Sequence, residues 1–99
     1  MEFGFFKGLP YDGCHENFED YKNMKNNISK NSVIEHIKSL EEGLTSLPSY
    51  DIFTGEELHA GMFWDGDFTF PYEFLHYYET YDIGIPYEYE EYLKSIGVG

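Results

Sequence analysis

Three groups of side chains in this sequence have types that could carry chemistry, and their spacing decides what each can do. Cys14-His15-Glu16 sets a thiol, an imidazole and a carboxylate side by side. Consecutive residues fold poorly around one ion, and a tetrahedral zinc site needs a second cluster that this chain lacks. His36, His59 and His76 lie in three separate stretches, and none has around it a local Ser, Cys or carboxylate arrangement resembling an activated nucleophile. Asp65 and Asp67 could be read as paired carboxylates dividing acid and base roles. The Asp65-Gly66 dipeptide, however, is a turn signature that accounts for Asp65 without chemistry. The glycines show no phosphate-cradling spacing ahead of a helix. The expectation is a protein that is not an enzyme, with no catalytic residue, no metal and no cofactor. A small hydrolase is the alternative from the enzyme class, and turnover of a substrate or a bound metal would mark it.

What remains is acid and tyrosine. The chain has 99 residues, one domain's worth, with 19 Asp and Glu against six Lys, no Arg, and a net charge of −13. Residues 1–50 hold 8 acids and 5 lysines, net −3, whereas residues 51–99 hold 11 acids and Lys94 alone, net −10. Such a field repels phosphate backbones and anionic lipid, so neither direct nucleic-acid binding nor membrane binding is expected, and the charge serves either a cationic partner or simply high solubility. No apolar run approaches the roughly 20 residues that span a bilayer, and the lone Cys14 fits a reducing cytoplasm. Tyr72, Tyr77, Tyr78, Tyr81, Tyr87, Tyr89 and Tyr92 are too many to bury together, because each hydroxyl needs water or a partner. Several are expected outside, among carboxylates. The candidate partner-binding set is Trp64, Asp65, Asp67, Tyr72, Glu73, Glu79, Asp82, Glu88, Glu90 and Glu91, with Trp64 as the desolvated anchor.

The elements that must position these residues are read from caps, turns and period. Residues 1–30 are the least legible, with turn chemistry at Gly8-Leu9-Pro10-Tyr11-Asp12-Gly13 and an Asn-rich stretch at 22–31 that reads as loop or loose helical turn. Ser32 with Glu35 reads as a capping box, followed by Val33, Ile37, Leu40 and Leu44 at helical spacing, with Gly43 as the stop: a helix over about 32–43. Asp51-Ile52-Phe53 is a short candidate strand that Thr54-Gly55 turns back. Asp65-Gly66 centres a hairpin over about 57–70, with Trp64 facing Asp67, Phe63 facing Phe68, and Phe63, Phe68 and Phe70 on one side, toward the core. Pro71 opens a helix over about 71–81 with an inward stripe of Phe74, Tyr77, Tyr78 and Tyr81. Pro86 opens another over about 86–96 with Tyr89, Leu93 and Ile96 inward, acids near its start, Lys94 near its end and Gly97 as terminator. The fold class is α+β, a single domain over 1–99 in which a three-stranded antiparallel sheet packs against about three helices.

The stretch Asp51-Ile52-Phe53-Thr54-Gly55-Glu56, with Asp65-Gly66, Phe70-Pro71, Tyr77-Tyr78, Tyr81 and Ile85-Pro86, resembles small bacterial proteins found beside polymorphic toxins, including immunity proteins of contact-dependent growth inhibition. The resemblance covers roughly residues 33–93. It implies a cytoplasmic protein that neutralises a cognate toxin by stoichiometric binding, many such toxins being basic nucleases, with acidic and aromatic groups occupying the cleft where substrate phosphates lie. The alternative is an acidic nucleic-acid mimic of the phage type, which inhibits a DNA- or RNA-binding protein by the same charge logic.

Overall fold

The computed structural model describes residues 1–99 and shows an α+β domain. The order is α1 (Phe18–Lys22), α2 (Lys30–Lys38), β1 (Glu42–Tyr50), β2 (Glu57–Asp65), β3 (Phe68–Pro71), α3 (Glu73–Thr80) and α4 (Tyr87–Ser95). The sheet is antiparallel in the order β1-β2-β3. No helix is long and apolar enough to cross a membrane. One core, rich in Phe and Tyr, joins the sheet to the helices through Phe63, Phe68 and Phe70 from the strands, Val33 and Ile37 from α2, Phe74, Tyr77 and Tyr78 from α3, and Tyr89 and Leu93 from α4. The N-terminal third, illegible in sequence, packs into the same core through Phe3, Phe6, Phe18 and Tyr21, and contributes the helix α1.

The two helices after the sheet start later than their prolines suggest, for different reasons. Pro71 is the last residue of β3, opposite Met62, so α3 begins at Glu73. Pro86 is the N-cap of α4, and Gly97, with φ of +88°, ends that helix as read. Ile96 lies past the last turn and is exposed, while the acid Glu90 is buried beside Tyr89 and Leu93.

The greatest departure lies between residues 29 and 53. The cap of α2 is Ser29, which accepts from the Ser32 amide, so Ser32 lies inside the helix and no capping box forms with Glu35. The helix ends at Lys38 with Ser39 Oγ donating to the His36 carbonyl. Leu40 and Leu44 continue the helical period by coincidence. Residues 42–50 leave the helix and pair with β2, which turns Gly43 from a helix stop into a strand residue and leaves Leu44 exposed. The third strand is therefore β1, and Asp51-Ile52-Phe53 belongs to the loop that turns back at Thr54-Gly55. Asp51 closes that loop: Oδ1 accepts from the Phe53 and Thr54 amides, and its backbone pairs with Glu56 and Gly55.

The β2-β3 hairpin is present with a different register. Asp65 pairs with Phe68, Trp64 with Thr69 and Phe63 with Phe70, so the two-residue loop is Gly66-Asp67 rather than Asp65-Gly66. Gly66 has φ of +59° and Asp67 does not share the left-handed region. Glycine at the first central position with a negative φ at the second is the pattern of a type II′ turn. Every partner moves by two residues, which preserves the alternation of faces, so Phe63, Phe68 and Phe70 still point together into the core. A Cβ at Gly66 would lie 2.8 Å from the ring carbon that bears the Tyr92 hydroxyl. Gly66→Val should therefore lower stability by about 1–3 kcal/mol, through backbone strain and collision with Tyr92 together. Urea unfolding measures it, and an unchanged midpoint would show that the turn does not depend on glycine.

Candidate functional site

Ten side chains were expected on a partner-binding surface, and the fold divides them. Trp64 is 58% exposed on the outer face of the sheet, with its ring laid over Gly43 of β1. A Cβ on Gly43 would sit 2.6 Å from Trp64 Cζ3, so this strand glycine makes the bed for the indole. Trp64 is thus a surface residue supported from below, not part of the core. Asp67 is exposed in the hairpin turn, and Glu88 and Glu91 are exposed on α4. Glu79 is exposed and paired with Lys38 across 3.2 Å, and Asp82 is exposed after α3. Tyr72 is half-buried, stacked on Phe63 with ring centroids 5.2 Å apart.

Asp65, Glu73 and Glu90 must be removed from that set, because their carboxylates are buried and occupied inside the molecule. Asp65 Oδ2 accepts from the Tyr89 hydroxyl at 2.8 Å and faces His36 Nε2 at 2.8 Å, while Oδ1 accepts from the Tyr92 hydroxyl at 3.2 Å. Glu73 accepts from the Tyr11 hydroxyl on one oxygen and from Ser49 Oγ on the other, each at 2.6 Å. Glu90 accepts from Asn26 Nδ2 and from the Asn27 amide, with Lys94 Nζ 3.3 Å away. Burial acts to raise the Glu90 carboxyl, but those two hydrogen bonds and the Lys94 charge outweigh it and hold it below its ordinary value.

The sequence pointed to none of these partners, nor to a fourth buried acid, Asp51. That carboxylate faces His76 Nε2 at 2.7 Å and accepts from the Tyr81 hydroxyl at 2.8 Å. Burial works to raise it, yet the His76 contact, the Phe53 and Thr54 amides and the Tyr81 hydroxyl prevail and bring it to about 2. The tyrosines respond in the opposite sense. Burial, then the Asp65 carboxylate, drives the Tyr89 hydroxyl far above its usual value, and burial pushes Tyr77 and Tyr78 up to about 12. Of the seven tyrosines from 72 to 92, only Tyr87 is exposed. Tyr77, Tyr78 and Tyr89 are buried as their inward positions predict, whereas Tyr81, expected in the same stripe, is only half-buried.

As chemistry, these imidazoles and carboxylates form two His–Asp pairs. No hydroxyl or thiol hydrogen-bonds to either ring, the contact a nucleophile activated by histidine would make. His76 borders a shallow cleft of about 370 Å³ shared with Leu58, His59, Tyr72 and Glu79. No three side chains among His, Cys, Asp and Glu converge as a metal ion would need. Cys14 is half-buried, and burial raises its thiol. What the arrangement offers outwardly is an acidic surface with one large exposed indole. No protein-family model, curated protein or solved structure matches this chain.

The Asp51 carboxyl has a pH signature. Its folded-state value, about 2, lies below the ordinary 3.8, so the unfolded chain binds the proton more tightly. The stabilisation is complete above the ordinary value and lost as pH falls through the folded one. At 1.36 kcal/mol per unit, it amounts to at most about 2 kcal/mol. Asp51→Asn should be destabilised at pH 6, and its deficit relative to the wild type should shrink as pH drops from about 4 to about 2. Urea titrations of both proteins across that range check it, and a constant deficit would show that the charge on Asp51 is immaterial.

Proposed function

We propose that this protein is a stoichiometric inhibitor of a cationic partner, of the immunity type: it binds a basic toxin domain, most simply a nuclease, and covers the cleft where phosphates enter. One observation carries the reading. After four acids are withdrawn into the interior, the surface still holds carboxylates that no lysine pairs at Glu41, Glu42, Asp67, Glu88 and Glu91, with Trp64 exposed between the sheet edge and the hairpin turn. The lysine ion pairs are Lys22–Glu19, Lys38–Glu79 and Lys94–Glu90, and none touches these residues. Acids without local partners raise the association rate with a basic surface, and an exposed aromatic supplies the contact that slows dissociation. A cytoplasmic location belongs to the same proposal, since a toxin that attacks nucleic acid has to be met there.

The test is capture of the partner from the source cell followed by stopped-flow association over a salt series. The expected partner is a basic nuclease whose activity the protein abolishes at one-to-one stoichiometry. The association rate is expected near 10⁸ M⁻¹s⁻¹ at low salt, roughly, and to fall steeply as salt rises. Charge reversal at Asp67, Glu88 and Glu91 together should cut that rate about tenfold and leave the melting temperature in place, because exposed carboxylates contribute little to stability. Trp64→Ala should mainly speed dissociation. A partner whose association ignores both salt and charge reversal would refute the inhibitor reading and leave the acids as a solubility feature.

A further inference from the structure

Only one edge of the sheet is open. On the β3 side the N-terminal segment already pairs: the Phe3 amide donates to the Thr69 carbonyl at 3.1 Å and the Thr69 amide donates to the Met1 carbonyl at 2.9 Å. On the β1 side no element pairs. The direction of the free groups follows from Gly61, which lies opposite Leu44. Gly61 turns both its peptide groups toward β3 and away from β1: its carbonyl accepts from the Tyr72 amide at 2.9 Å and its amide donates to the Tyr11 hydroxyl at 2.7 Å. The two backbones also approach closely there, since a Cβ on Gly61 would lie 3.0 Å from Leu44 Cα. Both features mark Leu44 and Gly61 as a non-hydrogen-bonded pair, in which Leu44 directs its own N–H and C=O outward. By the two-residue period, Glu42 does the same.

Folded proteins blunt such edges with bulges, proline or charged side chains, lysine above all. The second half of β1 is blunted, because the register shifts between Thr45 and Ser49 and Pro48 stands there. The first half, Glu42–Thr45, has neither bulge nor proline, and its one charge is the acid Glu42, which repels an acidic strand and leaves the edge open to a cationic one. It has instead an exposed Leu44, the indole of Trp64 lying over Gly43, and the exposed acids Glu41 and Glu42. We propose that this half-edge is a strand-addition site, at which an extended segment of a protein partner, carrying lysine or arginine beside Glu41 and Glu42 and an apolar residue beside Leu44, adds a fourth strand to the sheet. A second copy of this chain is the wrong occupant, since it would bring another net charge of −13 and a second Glu41-Glu42 pair to the same place. The inference rests on the reading of a cationic partner and names the element that docks it.

The probe is a nine-residue peptide with two lysines at each end and alternating Val and Thr between them, added to the full chain. At saturation, exchange of the Glu42 and Leu44 amides is expected to slow roughly tenfold, with a shift of the Trp64 emission. A peptide with glutamates at its ends, or one N-methylated at alternate residues, should do neither. Leu44→Pro, which removes an outward donor and no ladder bond, should abolish the protection. If that variant fails to fold, the N-methylated peptide and Glu42→Lys serve in its place. Unchanged exchange with the lysine peptide, equal protection by the control peptides, or protection that grows with protein concentration alone would each overturn strand addition. Salt-steered binding of the captured partner without edge protection would sink the edge and spare the inhibitor reading. Edge protection by that partner with no salt dependence would do the reverse.

Discussion

The interior depends on hydrogen bonds between buried carboxylates and the polar tips of aromatic side chains. A core built on this many tyrosines faces a difficulty that a phenylalanine core does not, because every hydroxyl taken from water needs an acceptor. Asp65 serves Tyr89 and Tyr92, Asp51 serves Tyr81, Glu73 serves Tyr11 and Glu16 serves Tyr21. No buried side-chain polar atom is left without a partner. A hydrogen bond to a charged group contributes roughly 1.5–3 kcal/mol, more than a neutral one, and breaking it leaves a carboxylate or phenol stranded. These contacts also join distant parts of the chain: Glu73 ties Tyr11 and Ser49 to α3, Asp51 ties the β1-β2 loop to α3, and Asp65 ties the hairpin to α2 and α4.

That requirement divides the acidic residues into two populations. Asp51, Asp65, Glu73 and Glu90 are inside, each held by specific donors, and belong to the fold. The remaining acids lie outside or at the boundary and face mostly water, with few lysines to balance them. A net charge of −13 on so small a domain opposes compaction through self-repulsion. The internal phenol–carboxylate contacts offset part of that cost where the dielectric is low and such bonds are strong. The surface is thereby free to remain acidic, which is the property a partner with a basic cleft would meet first.

The strand β1 is the other consequence of tertiary organisation. Its nine residues are almost all exposed, whereas β2 and β3 bury Phe63, Phe68 and Phe70 in the core. Gly43 and Gly61 allow it to lie close against β2 and beneath Trp64. The result is an edge that is stapled at Asp51, blunted at Pro48 and open from Glu42 to Thr45, next to the largest exposed aromatic on the molecule.

Local signals in the sequence were enough to determine the class of fold and its later half. Gly66 demanded a hairpin turn, Gly97 ended α4, the stripe Phe74, Tyr77 and Tyr78 faced inward on α3, and Phe63, Phe68 and Phe70 shared a face even though their register was read two residues off. Each is a matter of backbone conformation or period, decided within a few neighbouring residues. Exposure was read rightly for Trp64, Asp67, Glu79, Asp82, Glu88 and Glu91 and misjudged for Asp65, Glu73 and Glu90, which are buried. The misjudgement has one physical cause. A carboxylate beside tyrosines looks the same in sequence whether water or a donor 24 to 64 positions away will satisfy it. The strand β1 was hidden for a related reason, since Gly43 and Pro48 disfavour strands and the segment pairs because β2 is there to receive it. Which acids lie inside, and which strand forms the open edge, were decided only when the chain closed on itself.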